Sequence, residues 1–172
     1  MIGHHWLGIV GILLITLANY DAIKTTLSAS HSGPLTNRSI STVWTLLLAL
    51  HQRHRCHRVL SAAGPWLTVG LMTVWLLLAL VGWWLLFCST EDAVVNATTK
   101  APANDVERLY YAGYTLTTLG YGDFVPGSDT WRLAPPLAAA NGFFLFTLTI
   151  TYMLSIIAAS YCSLDDTAPS HT

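Results

Sequence analysis

The chain has 172 residues, of which 53% are hydrophobic and only 10% charged, with a net charge of -1 and a mean hydropathy of +0.50. A soluble domain carries about 25% charged residues, so this composition excludes an ordinary water-facing globule. The near-neutral balance offers no basic face for nucleic acid. Cys56, Cys88 and Cys162 are odd in number and widely scattered, which excludes a disulfide framework and a zinc-ligand spacing and leaves them structural.

The first apolar run, Trp6 to Ala18, continues through Asn19, Tyr20, Asp21 and Lys24 toward Leu27 without a glycine or proline. It is expected to span a bilayer as an N-terminal helix within residues 1–28. A cleaved signal peptide competes, since Ser28-Ala29-Ser30 resembles a small-residue cleavage site, but no Lys or Arg precedes Trp6. Asp21, near the end of this helix, is either a functional group or an acid that pairs with Lys24 one turn on. Snorkelling of the carboxylate to the interface is the expectation.

Residues 29–63 change character. His31-Ser32-Gly33-Pro34 is a turn, and a short amphipathic run from Ile40 to Leu50 leads into His51-Gln-Arg-His-Arg-Cys-His-Arg58. Arg38, Arg53, Arg55 and Arg58 make this the most basic loop, so the positive-inside rule places it in the cytoplasm. The amino terminus is then external and the carboxyl terminus cytoplasmic, in a plasma (cell inner) membrane. Arg53, Arg55 and Arg58 suit contact with anionic lipid headgroups. His51, His54 and His57, three residues apart beside Cys56, suggest a metal site or a proton sensor, but chelating histidines usually have a carboxylate or a second segment in support, so a solvated basic surface is preferred. Gly64-Pro65 marks a boundary before the next span.

Trp66 to Cys88 and Leu133 to Cys162 contain no charged residue, and each exceeds the ~20 apolar residues a spanning helix needs. Trp83, Trp84 and Trp131 suit an aromatic belt at one membrane face. Between the two spans lies Thr115-Leu-Thr-Thr-Leu-Gly-Tyr-Gly-Asp123. Backbone carbonyls aimed at a narrow axis in successive rings replace the water shell of a dehydrated potassium ion. Gly120 and Gly122 can adopt the left-handed torsions such a strand alternates, and Thr118 adds a hydroxyl at the inner mouth. The motif therefore reads as a potassium selectivity filter, with no other cofactor implied. A ring of carbonyls needs several copies around one axis, so the expected unit is a homotetramer in which each chain is partnered by further copies of itself.

The nine-residue run, Phe124-Val-Pro126, Arg132 and Gly142 together resemble the two-helix pore domain of bacterial potassium channels, here with an extra N-terminal transmembrane helix. The resemblance covers residues 66–158. It implies an all-α membrane protein with three transmembrane helices, a re-entrant pore helix and a filter, assembled as a tetrameric channel. The implied pore domain is 64–160, with outer helix 66–88, pore helix 106–117, filter 118–123 and inner helix 133–160, before a short cytoplasmic tail, 161–172. By this likeness the carbonyls of Thr118, Leu119, Gly120 and Tyr121, with Gly122 at the outer edge, bind potassium. Tyr110, Tyr111, Tyr114, Thr115 and Asp123 support the filter. The Tyr121 ring packs behind it against Tyr110 and Tyr111, and Asp123 accepts a bond from Tyr111.

Two residues depart from the family pattern. Tyr114 stands where some relatives place a carboxylate behind the filter, and Leu119 where valine is usual. Gly142 falls where relatives have a gating hinge, although a glycine in a membrane helix is as readily a close-packing site. Pro135-Pro136 is expected to open or kink the inner helix near its start. Phe143, Phe146 and Ile150 line a cavity or pack. Asn96-Ala-Thr98 and Asn37-Arg-Ser39 match a glycosylation sequon. No helix carries arginine at every third position, which argues against a voltage sensor, and the short tail leaves no room for a folded ligand-binding domain. Passive potassium conduction without catalysis is the expected function. The alternatives are a non-conducting accessory subunit and a component of a potassium transport system.

Overall fold

The structure, a computed structural model, describes residues 5–27 and 57–165. The sequon at Asn37, the histidines His51 and His54, Cys56, and Arg53 and Arg55 lie outside the described residues, as do the side chains of His57, Arg58 and Cys162. Three helices are long and apolar enough to cross a membrane: α1 (His5–Leu27), α2 (His57–Phe87) and α4 (Ala134–Asp165). Between α2 and α4 lies α3 (Asp105–Leu116). Its 12 residues reach about 18 Å at about 1.5 Å each, too short to span. The fold is that of a mostly helical membrane protein.

Each helix end has a local cause. α3 begins at a capping box, in which the Asn104 side chain accepts from the Glu107 N–H at 2.9 Å and the Glu107 carboxylate accepts from the Asn104 N–H at 2.8 Å. Pro135 and Pro136 occupy the first turn of α4, where a missing N–H costs no helical bond, so they start the helix rather than bend it. α2 begins earlier than Trp66 and runs through Gly64-Pro65, so that dipeptide is not a boundary. A proline within a helix forfeits one N–H bond, a loss that helices of this kind absorb. α4 likewise extends past residue 160, to Asp165.

The described residues fall into two compact units, one holding residues up to 20 and 74–146, the other 21–27, 57–73 and 147–165. In the second unit Asp21 and Ala22 are fully buried, and Thr25, Leu71 and Thr149 are nearly so. The expected snorkelling of Asp21 is therefore not what the structure shows: the residue is enclosed by protein.

In the first unit, α1 and α2 pack antiparallel through small residues. A methyl group on Gly11 would sit 2.5 Å from the Gly82 carbonyl oxygen, and one on Gly82 would sit 2.9 Å from the Gly11 carbonyl oxygen. With lipid on every side, such backbone-to-backbone approach replaces the hydrophobic drive that joins helices in water. Further along α2, Trp75, Ala79, Trp83 and Phe87 recur every fourth residue and are all buried, forming one stripe. Trp83 thus leaves the expected aromatic belt. Its indole N–H donates to Asn141 Oδ1 on α4 at 3.0 Å, Asn141 Nδ2 donates to Asn19 Oδ1 on α1 at 2.7 Å, and Asn19 Nδ2 donates to the Ile15 carbonyl at 2.8 Å. Adjacent helix residues point about 100° apart, and Trp84 instead donates to the Asp105 carbonyl at 2.9 Å.

The connection from α2 to α3 is stitched to the segment after residue 123. Strands β1 (Val95–Asn96) and β2 (Phe124–Val125) pair antiparallel, Val95 opposite Val125. The Ala97 N–H donates to the Asp123 carbonyl at 2.8 Å and the Gly127 N–H to the Asp92 carbonyl at 3.1 Å.

Candidate functional site

The segment between α3 and β2 has backbone torsions of alternating sign. φ is +62° at Thr118, +57° at Gly120 and +80° at Gly122, while Leu119 and Tyr121 do not share the positive sign. Glycine bears this at no steric cost. Threonine does not, because a β-branched residue at positive φ crowds its own backbone, at a cost of about 1–2 kcal/mol. Two bonds from the end of α3 hold it there: the Thr118 N–H donates to the Thr115 carbonyl at 3.0 Å and the Leu119 N–H to the Tyr114 carbonyl at 2.9 Å. Among the described residues, no donor is bonded to the carbonyls of Thr118, Leu119, Gly120, Tyr121 or Gly122. Thr118 at positive φ is the feature that sequence reasoning missed. The alternation read from Gly120 and Gly122, extended back by one step of two residues, identifies it.

Aromatic rings support this segment from one side. Tyr121 stacks on Tyr110, with centroids 6.1 Å apart and planes within 6°, and meets Tyr114 edge-on at 5.6 Å. Tyr110 and Tyr114 are four residues apart on α3 and so share a face. Tyr111, expected behind Tyr121 and bonded to Asp123, instead turns toward α2, where it meets Phe87 edge-on at 5.0 Å. Burial alone pushes its phenol up to about 12. The phenols that feel the Asp123 carboxylate, after the larger effect of burial, are Tyr110 and Tyr114, both raised. Tyr114 therefore stays protonated and remains a donor. It gives its O–H to the Phe124 carbonyl at 3.0 Å, tying α3 to the exit of the segment, while Asp123 Oδ1 accepts from the Phe124 N–H at 3.1 Å. Thr115 is buried on α3, beside the same segment in sequence.

Two contacts set the height of α3. Arg108, only 7% exposed, donates from Nε to the Ala103 carbonyl at 2.9 Å, and from one terminal nitrogen to the Phe87 and Thr90 carbonyls, both at 3.0 Å. A longer contact reaches the Glu91 carbonyl at 3.4 Å. The guanidinium thus gathers the carbonyls at the end of α2, where the helix dipole favours a cation. At the other end of α3, Gly142 of α4 lies directly against Leu116. A methyl group there would run into the Leu116 carbonyl oxygen and sit 2.8 Å from its carbon. α4 continues unbroken through this point, and the glycine has a packing reason.

A family described as "Ion channel" matches residues 70–159, from within α2 through α3 and the alternating segment to α4. The chain belongs to this ion-channel family. Within it, the type is that of the two-transmembrane potassium channels, and α1 lies outside the matched region. A membrane protein of Bacillus subtilis (strain 168), whose printed name is "Uncharacterized membrane protein YdjJ", is 33% identical over 152 residues, covering 88% of this chain and 44% of the relative. The chain therefore spans less than half the length of that relative. No solved structure matches it.

At the position where the resemblance implies a departure from a carboxylate, Tyr114 presents a phenol that donates to the backbone. Tyr114→Phe removes only the hydroxyl and leaves the buried Phe124 carbonyl without its donor, which should lower stability by about 1 kcal/mol. Thermal unfolding of the purified protein in potassium reads this directly. A midpoint equal to wild type would mean that the hydroxyl does not hold the Thr118–Gly122 segment to α3.

Proposed function

We propose that the chain is a subunit of a potassium-selective channel that conducts passively, with Thr118, Leu119, Gly120 and Tyr121, and Gly122 at the outer edge, supplying carbonyl ligands to potassium. The observation that carries this is the alternation of φ over Thr118–Gly122 together with carbonyls that have no donor among the described residues. At membrane depth an unpaired carbonyl costs several kcal/mol, and a dehydrated cation is the partner that repays it. The carboxyl end of α3 directs partial negative charge toward the same place.

The large exposed residues support assembly into a homotetramer. Leu119 and Tyr121 are more than half exposed, and Phe143, Phe146, Ile150 and Leu154 expose one stripe of α4. Copies of the chain around the filter axis would cover these groups. In the proposed plasma-membrane orientation the loop from Ser89 to Arg108 is external and the carboxyl terminus cytoplasmic, which sets Arg53, Arg55 and Arg58 among anionic headgroups.

The test is flux in liposomes holding the purified chain, potassium against sodium, with Gly120→Asp as the blocked control. Potassium flux well above sodium flux, abolished in the variant, is expected. Equal flux of both ions would overturn the filter reading, and silence that a partner chain relieves would make this an accessory subunit.

A further inference from the structure

The Trp83–Asn141–Asn19 chain of hydrogen bonds joins three helices inside the apolar span. Trp83 offers only a donor, so Asn141 must present its oxygen to the indole and its amide nitrogen to Asn19; Asn19 in turn must present its oxygen and direct its own nitrogen to the Ile15 carbonyl. The series therefore runs in one direction and ends on the backbone of α1. Polar side chains at this depth are costly unless bonded, and bonded they fix the rotation of the helices that carry them.

Asn141 immediately precedes Gly142, the residue that lies against the Leu116 carbonyl. Leu116 is the last residue of α3, and the strained Thr118 and the following Leu119 hang from the final turn by their N–H bonds to the Thr115 and Tyr114 carbonyls, respectively. A rotation of α4 that freed Asn141 would carry Gly142 off Leu116. We propose that Asn19 of the added helix is a positioning residue for the filter: through Asn141 it holds the Gly142 face of α4 against the base of α3, so that α1 controls whether the Thr118–Gly122 backbone keeps its conducting geometry. The proposal rests on the reading of that segment as a potassium filter, and gives α1 a role that the matched family region does not contain.

Asn19→Leu and Asn141→Leu each break the chain in a different helix, and Trp83→Phe removes only the indole donor while keeping a ring. Thr16→Val serves as control, since Thr16 lies on the exposed side of α1 and bonds only the Ile12 carbonyl of its own helix. Two readouts separate this proposal from the channel reading. Hydrogen exchange of the purified protein in detergent, followed at residues 117–123, needs no conduction. Asn19→Leu should raise exchange there by tenfold or more, Asn141→Leu should match it, and the double variant should add nothing beyond either single change. In planar bilayers the same variants should lower open probability while leaving the conductance of each opening unchanged. Asn19→Gln, which keeps the amide, should restore part of both. If exchange at 117–123 in Asn19→Leu equals that in Thr16→Val, the coupling is absent and the proposal fails. Should the wild type pass no potassium, the channel reading falls, and the exchange result alone still decides whether α1 positions the segment.

Discussion

Gly142→Ala is expected to destabilise the protein by about 1–3 kcal/mol, the usual cost of forcing an extra carbon into a close-packed contact, and, on the proposed potassium-channel reading, to cut potassium flux several-fold. Helix propensity argues the other way, since alanine is better than glycine in a helix interior by about 1 kcal/mol. The contact wins because of what the methyl group meets. The Leu116 carbonyl oxygen and carbon are backbone atoms at the end of α3, and the Leu116 Cγ is 3.1 Å away as well, so no flexible side-chain end can swing aside. α4 must withdraw from α3, and the segment that hangs from α3 loses its floor. Gly70→Ala is the internal comparison: Gly70 lies in the same kind of helix with nothing within 4 Å of the added carbon, so the propensity gain should appear unopposed. Thermal unfolding of both variants reads the difference, and a Gly142→Ala midpoint at or above wild type would mean that the glycine serves bending freedom rather than packing.

What the sequence shows and hides follows from the physics of each feature. The spans at α2 and α4 were legible because absence of charge over such lengths has few other causes, and α1 was legible in spite of Asp21 because its apolar pattern continued. The segment at Thr118–Gly122 was legible because glycines at alternate positions report a backbone requirement directly. The face of α3 that holds Tyr121 follows from the four-residue spacing that pairs Tyr110 with Tyr114, whereas Tyr111, which also meets Tyr114 edge-on at 5.3 Å, makes its other ring contact with Phe87. Trp83 and Trp84 look alike in sequence, and only the partner across the helix interface, Asn141, distinguishes the buried one. Gly64-Pro65 misleads for a different reason: proline punctuates helices in water, but a long helix built for lipid can carry the loss of one bond. Arg108 was the least legible, because its partners are carbonyl oxygens, which every residue possesses and no side-chain pattern reveals.

Arg108→Met should cost on the order of 3 kcal/mol, since it keeps the buried stem but leaves the Ala103, Phe87 and Thr90 carbonyls without their donor, at about 1–3 kcal/mol for each that stays dry. The lower end applies because these groups sit at the end of α2 near the connecting loop, where water can replace some of the bonds. Among the described residues no carboxylate lies within ion-pair distance of the guanidinium, so removing the charge strands no opposite charge, and the loss is that of the hydrogen bonds and of the favourable helix end. Arg108→Lys should recover only part, because an ammonium has no planar fork with which to span carbonyls from Ala103 and from the end of α2 at once. Thermal unfolding should order the proteins wild type, lysine, methionine, and on the proposed reading potassium flux should follow the same order, because α3 is held in place by Arg108 at its start and Gly142 at its end. If the methionine variant unfolds within about 0.5 kcal/mol of wild type, the scale of an ordinary surface substitution, the clamp contributes nothing and the position of α3 rests on Gly142 and the aromatic contacts alone.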